Sequence, residues 1–361
     1  MTEKEFLDIA GRLMRRPAAP YHESLVAEEA RAICQEAGVP VRSDRFGNLY
    51  ARHGAGNKGK PLVLAAHMDH PGFEIVRRIE PGRWLARFLG GVPDAYFQPG
   101  VKLKLMPSGE TATLGERVEH RREKRYELRT NHDLAAKPSF AVWKLREFIA
   151  REGRISGRVC DDLIGVAVIL ATLIELKRSG APCHVIGFIS RAEEVGFQGA
   201  LVAADARLLP LRSLVVSLET SKEIPGVKMG EGVIVRVGDR SSVFDSKGVR
   251  FLSAISDDLA RDETRKFKWQ RALMGGGSCE GTAFQEYGYR TAAVCVALGN
   301  YHNCGKGDRI REEYVSVDDA LGMHRLLTSA AKRMSEFEAI VGATAGRLEK
   351  LRREGERRLV K

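Results

Sequence analysis

The chain has 361 residues, 43% of them hydrophobic, with six cysteines and a formal net charge of +11. This length exceeds a typical single core, so two domains, or one domain with an insertion, are expected. No apolar run approaches the roughly 18 residues that a membrane span requires, Met1-Thr2-Glu3-Lys4-Glu5-Phe6-Leu7 lacks a signal-peptide core, and six thiols without tight spacing point to a reducing, cytoplasmic setting.

In chain order, residues 5–15 and 23–37 have the periodicity of amphipathic helices, the second closed by Gly38-Val39-Pro40. Gly54-Ala55-Gly56-Asn57-Lys58-Gly59-Lys60 mimics a phosphate-binding loop, but Pro61 stands where a Ser or Thr must hold magnesium, and the loop precedes a strand instead of following one; it reads as a surface turn. Residues 61–66 form an unbroken apolar run, as in a strand buried on both faces, and lead into His67-Met68-Asp69. The 93 residues between His67 and Asp161 interrupt this pattern with short strands at 73–79, 84–88 and 101–106. A stretch of mixed charge at 116–129 reads as an exposed face.

Beyond the interruption, Cys160-Asp161-Asp162 precedes an apolar helix over 166–177, where paired acids at a helix N-terminus are favoured by capping and by the macrodipole. Three more buried strands follow: 184–189, running into Glu193-Glu194; 214–218, ending at Glu219; and 291–298, running out to His302. A second charged segment at 257–271 precedes the glycine run Gly275 to Gly281. Ser316 caps a closing helix over 316–331, with Asp318 and Asp319 in its first turn. The final 15 residues carry seven Lys or Arg against three Glu and read as a solvated basic tail; it holds +4 of the net charge and leaves +7 over the other 346 residues, a distribution that weakens a nucleic-acid reading.

The polar residues at these strand ends share one chemistry. In open α/β sheets, ligands bind beyond the carboxyl ends of the strands, and imidazoles mixed with carboxylates suit zinc, manganese or cobalt. A pair of cations can activate a shared water while a carboxylate moves the proton. Such a site needs no nucleophilic side chain, and the sequence has neither a Gly-x-Ser-x-Gly elbow nor a Cys-x-x-Cys.

His67-Met68-Asp69-x-x-Gly72-Phe73, Cys160-Asp161-Asp162-x-x-Gly165, Glu193-Glu194-Val195-Gly196-x-x-Gly199-Ala200 and the late His302 together resemble the dinuclear-metal aminopeptidases that form tetrahedral particles, some labelled glutamyl, leucyl or deblocking aminopeptidases or endoglucanases. The resemblance covers roughly residues 5–335. It implies one metal on His67 and Glu219, a second on Glu194 and His302, Asp161 bridging them, Asp69 orienting the His67 ring and Glu193 as general base. By motif position Asp161, not Asp162, is the bridge. The chain departs from the family pattern at His70 and Pro71, at Glu219 where many members have Asp, and at Gly275 to Gly281 where relatives carry a Gly-Thr-Asp-Ala type sequence. His70 stands open as a surplus ligand or a turn residue.

The fold implied is α/β: a mixed-sheet, zinc-exopeptidase-like catalytic domain over 1–71 and 158–340, an inserted small β-barrel-like domain for assembly and access over 72–157, and a basic tail over 341–361. The function implied is a metal-dependent aminopeptidase with two divalent ions per subunit, zinc ahead of cobalt or manganese. It would act on peptides with a free N-terminus, as a dimer-built homo-oligomer of up to a dodecamer, with no membrane or nucleic-acid partner. The alternatives are a deacylase or amidohydrolase with the same site, and a non-catalytic scaffold or nucleic-acid-binding protein.

Overall fold

The computed structural model describes residues 1–54 and 59–360. The glycine-lysine turn read at 54–60 thus falls largely outside the described residues. The centre is an eight-stranded mixed sheet in the spatial order Val41–Ser43, Leu49–His53, Val185–Ser190, Leu62–His67, Leu214–Lys222, Arg290–Leu298, Val233–Asp239, Trp269–Met274. Four neighbouring strands of this series, Val185–Ser190 to Arg290–Leu298, are mutually parallel. Every residue of Leu62–His67 and Val185–Ser190 is buried, which explains why these runs show no alternation in the sequence.

Helix Leu163–Ser179 lies against the sheet, and all residues from Leu163 to Ile174 are buried. Asp162 caps it by accepting the Gly165 amide at 3.2 Å, and Gly180, at φ +61°, ends it. Its approach to the sheet is close enough that a Cβ on Gly187 would stand 2.4 Å from the Ile169 side chain, so only glycine fits at that strand position. Helix Val317–Lys332 is capped by Ser316, whose hydroxyl accepts the Asp319 amide at 3.3 Å. The basic tail continues a helix that begins earlier, Phe337–Leu359, anchored by the buried Phe337 and Val341 and otherwise mostly exposed.

Between His67 and Asp161, six strands close into a barrel in the order Gly72–Glu80, Arg83–Leu89, Arg125–Thr130, Thr111–Val118, Lys102–Met106, Phe140–Trp143. Its interior is aromatic: Phe73 meets Phe88 and Trp143 edge-on at 5.0 Å, and Phe97 stacks on Tyr126 at 4.7 Å. The mixed-charge stretch resolves into the ends of two barrel strands and the turn joining them, because alternate positions such as Tyr126 and Leu128 point inward. Ile149–Arg151 and Arg154–Gly157 lie beyond the barrel and form a separate three-stranded sheet with Glu313–Ser316.

Glu127 is a buried acid on the barrel wall, held by Arg83 Nε at 2.7 Å and by Arg129. The Arg83 hydrogen bonds bring its carboxyl down to about 2 from 4.5. A depressed carboxylate stabilises the fold above its unfolded value and loses that contribution as pH falls from about 4.5 toward 2. Because the arginines are partly exposed, solvent screening limits the effect to about 1 kcal/mol. Glu127→Gln should therefore lower the thermal midpoint at pH 7 and leave it close to wild type at pH 2; an unchanged gap between the two pH values would refute this account.

Candidate metal centre

The parallel strands end side by side, and their ends deliver the polar residues picked out from the sequence. His67 is the last residue of its strand and lies in register with Ser190, from which the chain turns into Glu193-Glu194. Glu219 lies on the next strand, and His302 follows the end of the one after that. Asp161 arrives from the turn before helix Leu163–Ser179.

These side chains form two adjoining groups. Potential donor atoms of His67, Glu193 and Glu219 all lie within 4.8 Å of one another, as do those of Asp161, Glu194 and His302. Asp161 stands between them: Oδ1 is 3.7 Å from His67 Nε2 and Oδ2 is 3.6 Å from His302 Nε2. Glu194 Oε1 is 3.1 Å from His302 Nε2, and Glu193 Oε2 is 3.9 Å from His67 Nε2. Asp162 is buried but engaged as the helix cap.

The backing contacts orient the rings. His67 Nδ1 donates to the Asp69 carbonyl at 3.0 Å and His302 Nδ1 to the Gly91 carbonyl at 2.6 Å, so each Nε2 faces the centre. The Asp69 carboxylate stands behind His67, 3.6 Å from Nδ1, and also accepts the Glu193 amide at 2.9 Å and the Glu194 amide at 3.1 Å. Residue 69 thus meets His67 with its main chain and its carboxylate, and meets the acidic pair with the same carboxylate.

His70 has no nitrogen left for a metal. Nδ1 lies 2.9 Å from the Asp161 carbonyl and Nε2 lies 3.0 Å from Asn303 Oδ1. Glu313, from the three-stranded sheet, accepts the amides of Cys160 at 2.7 Å and Asp161 at 3.1 Å. Glu23 accepts Arg191 Nε at 2.7 Å and the Ala192 amide at 3.0 Å, steadying the approach to Glu193. The sequence reading passed over Glu23, Glu313 and Asn303, which have no local signature.

Electrostatics fit the donor set to divalent cations. Burial pushes Glu193 well up and Glu219 to about 8, while for Asp161 the effect of burial is outweighed by His302 and His67, which hold it low. Both imidazoles are raised, against the effect of burial, by the surrounding acids, chiefly Glu193 for His67 and Glu194 for His302. Asp161 Oδ1 and Glu219 Oε1 are buried without a hydrogen-bond partner. Buried oxygens of this kind, beside imidazoles turned toward them, match oxygen and nitrogen ligation of a divalent ion.

The centre floors a cleft of about 340 Å³, walled in part by Phe197, Ile224, Met274 and Tyr301. Arg236 also lines it, although it is 3% exposed; Nη1 is 3.5 Å from Ser221 Oγ and Nε has no hydrogen-bond partner. Its signal in the sequence was a single arginine within the apolar run Val233-Ile234-Val235-Arg236-Val237. Glu280, from the glycine-rich segment, is buried nearby and pushed up to about 7 by burial.

Residues 137–308 match the family model of the M42 glutamyl aminopeptidases. The structure is similar to the Pyrococcus horikoshii TET1 peptidase, described as assembling into a tetrahedron or a large octahedral shell, with a TM-score of 0.74 at 22% identity over 91% of this chain and 99% of that one. It is also similar to the TET aminopeptidase of a marine sediment Thaumarchaeota archaeon, with a TM-score of 0.76 at 17% identity over 93% and 99% of the two chains. An aminopeptidase of the archaeon Desulfurococcus kamchatkensis gives 0.74 at 18% identity over 94% and 98%. At these identities the structural likenesses speak for the fold, whereas the family match spans Asp161, Glu193, Glu194, Glu219 and His302. Over residues 137–308, just under half of the chain, the sequence is similar to the M42 glutamyl aminopeptidases, and this match supports a peptide hydrolase.

Proposed function

We propose that the protein is a metal-dependent aminopeptidase that removes N-terminal residues from peptides. The observation that carries this reading is the placement of the Asp161 carboxylate between His67 and His302, with Glu193 beside them. His67 and Glu219 would hold one divalent cation, Glu194 and His302 a second, and Asp161 both. When bound, the cations supply charge that polarises the scissile carbonyl and makes water a nucleophile at neutral pH. Glu193 takes the proton from the attacking water and returns it to the leaving amine nitrogen. Asp69 keeps Glu193 in line through its amide. The surplus of acids on the floor favours a substrate that brings an ammonium group, hence a free N-terminus.

The mixed imidazole and carboxylate donors suit zinc first, then cobalt or manganese. We assign the barrel, within residues 72–157, to subunit assembly and access, which makes the protein a homo-oligomer like the TET1 peptidase. Among the described residues no helix is long and apolar enough to cross a membrane, and six cysteines outside any disulfide accord with a cytoplasmic setting.

Arg236 gives the cleft a preference. Among the described residues its guanidinium contacts Ser221 and no carboxylate at salt-bridge distance, although the charges of Glu219 and Asp239 act on it, and Lys222 adds a second positive charge to the wall. An N-terminal Glu or Asp side chain would complete it, in keeping with the glutamyl description of the family. The test is a panel of aminoacyl-p-nitroanilides and short peptides, with N-acetylated controls, assayed with zinc, cobalt or manganese. Metal-dependent cleavage that needs a free amine is expected, with acidic residues preferred. Arg236→Met should lower kcat/KM for glutamyl substrate about 10- to 100-fold while changing leucyl substrate little. Cleavage of acylated substrates alone would favour the deacylase reading.

A further inference from the structure

We propose that His70 and Asn303 form a positioning clasp that joins the turn carrying Asp161 to the turn carrying His302 and thereby sets the affinity of the Asp161–Glu194–His302 cation site. This inference rests on the metal-centre reading given above. Neither residue reaches the centre as a ligand, and both act through the residues that do.

The hydrogen bonds define a single connected path. Asn303 Nδ2 donates to the carbonyls of Arg158 at 2.8 Å and Arg311 at 3.0 Å, which fixes its amide with Oδ1 toward His70. His70 spans from that oxygen, at 3.0 Å, to the carbonyl of Asp161, at 2.9 Å. Asp161 is held from the other side by Glu313, which accepts its amide at 3.1 Å. His70 and Asn303 are buried, at 2% and 0% exposure, so water cannot replace either partner cheaply.

The second turn needs such a restraint. Asn300, His302 and Asn303 lie at φ +54°, +52° and +62°, three left-handed residues within four positions, none of them glycine. Backbone of this kind persists only where its surroundings over-determine it. His302 is the residue this strained turn presents, with Nε2 3.6 Å from Asp161 Oδ2. By gripping Asn303 and the Asp161 main chain together, His70 fixes that separation. The other group of donors, His67, Glu193 and Glu219, makes no hydrogen bond to the clasp among the described residues.

The test is chelator-driven release of zinc from the loaded full-length protein, read with a metal dye, with His302→Ala marking the ion that belongs to the Asp161–Glu194–His302 site. His70→Ala and Asn303→Ala are each expected to weaken that ion about 10- to 100-fold and the other, which shares only Asp161, by much less. The double variant should be no weaker than the weaker single, because the two residues act as one device. His70→Gln, whose amide offers two N–H groups, should recover part of the affinity. Equal weakening of both ions, a fall in thermal midpoint that accounts for the loss, additive effects, or no effect would each overturn the clasp. A wild-type protein that holds no zinc would overturn the metal-centre reading itself and the clasp with it, whereas two tightly held ions with indifferent variants would overturn the clasp alone.

Discussion

Glu193→Gln is expected to lower kcat/KM by about 10²- to 10⁴-fold while the protein keeps its metal content and its thermal midpoint. The substitution preserves size and removes only the ability to accept a proton. Glu193 is buried and its amide is tied to Asp69, so the variant side chain has little freedom to leave its place. The result is decisive because Glu193 also belongs to the group of potential donors with His67 and Glu219. If it is a ligand, the variant will lose an ion in metal analysis along with its activity. If it is the base, activity alone will fall, and the wild-type pH–rate profile will lose its acid limb in the variant.

Asp161→Asn should have the second large effect: loss of both bound ions, or of all but one weakly held ion, and activity below detection. Its two oxygens face different histidines, and a neutral amide removes the negative charge that offsets two cations at once. The neighbouring acid provides the contrast. Asp162 accepts the Gly165 amide as the helix cap, so Asp162→Ala should cost about 1 kcal/mol of stability and leave both ions in place. Metal analysis and thermal denaturation of the two variants will separate these roles. Metal loss in the Asp162 variant with retention in the Asp161 variant would reverse the assignment.

The sequence by itself determined the parts governed by local pattern. Unbroken apolar runs marked the buried parallel strands, and the polar residues at their ends marked where a ligand would lie, because strand direction fixes which end of the sheet carries the loops. Ser316 as a cap was legible for the same reason: capping depends on a few adjacent residues. The motif spacing carried the resemblance to the M42 aminopeptidases, whose family model matches residues 137–308. Tertiary structure alone decided what depends on distant segments meeting. Barrel closure depends on pairings such as Phe73 with Ala141, which join the two ends of a long segment. His70 could not be told from a ligand until its two nitrogens were seen on Asp161 and Asn303. Glu23, Glu313 and Arg236 are ordinary charged residues in the sequence. They become part of the site only because the fold buries them beside it, where an unpaired charge is costly and each hydrogen bond counts.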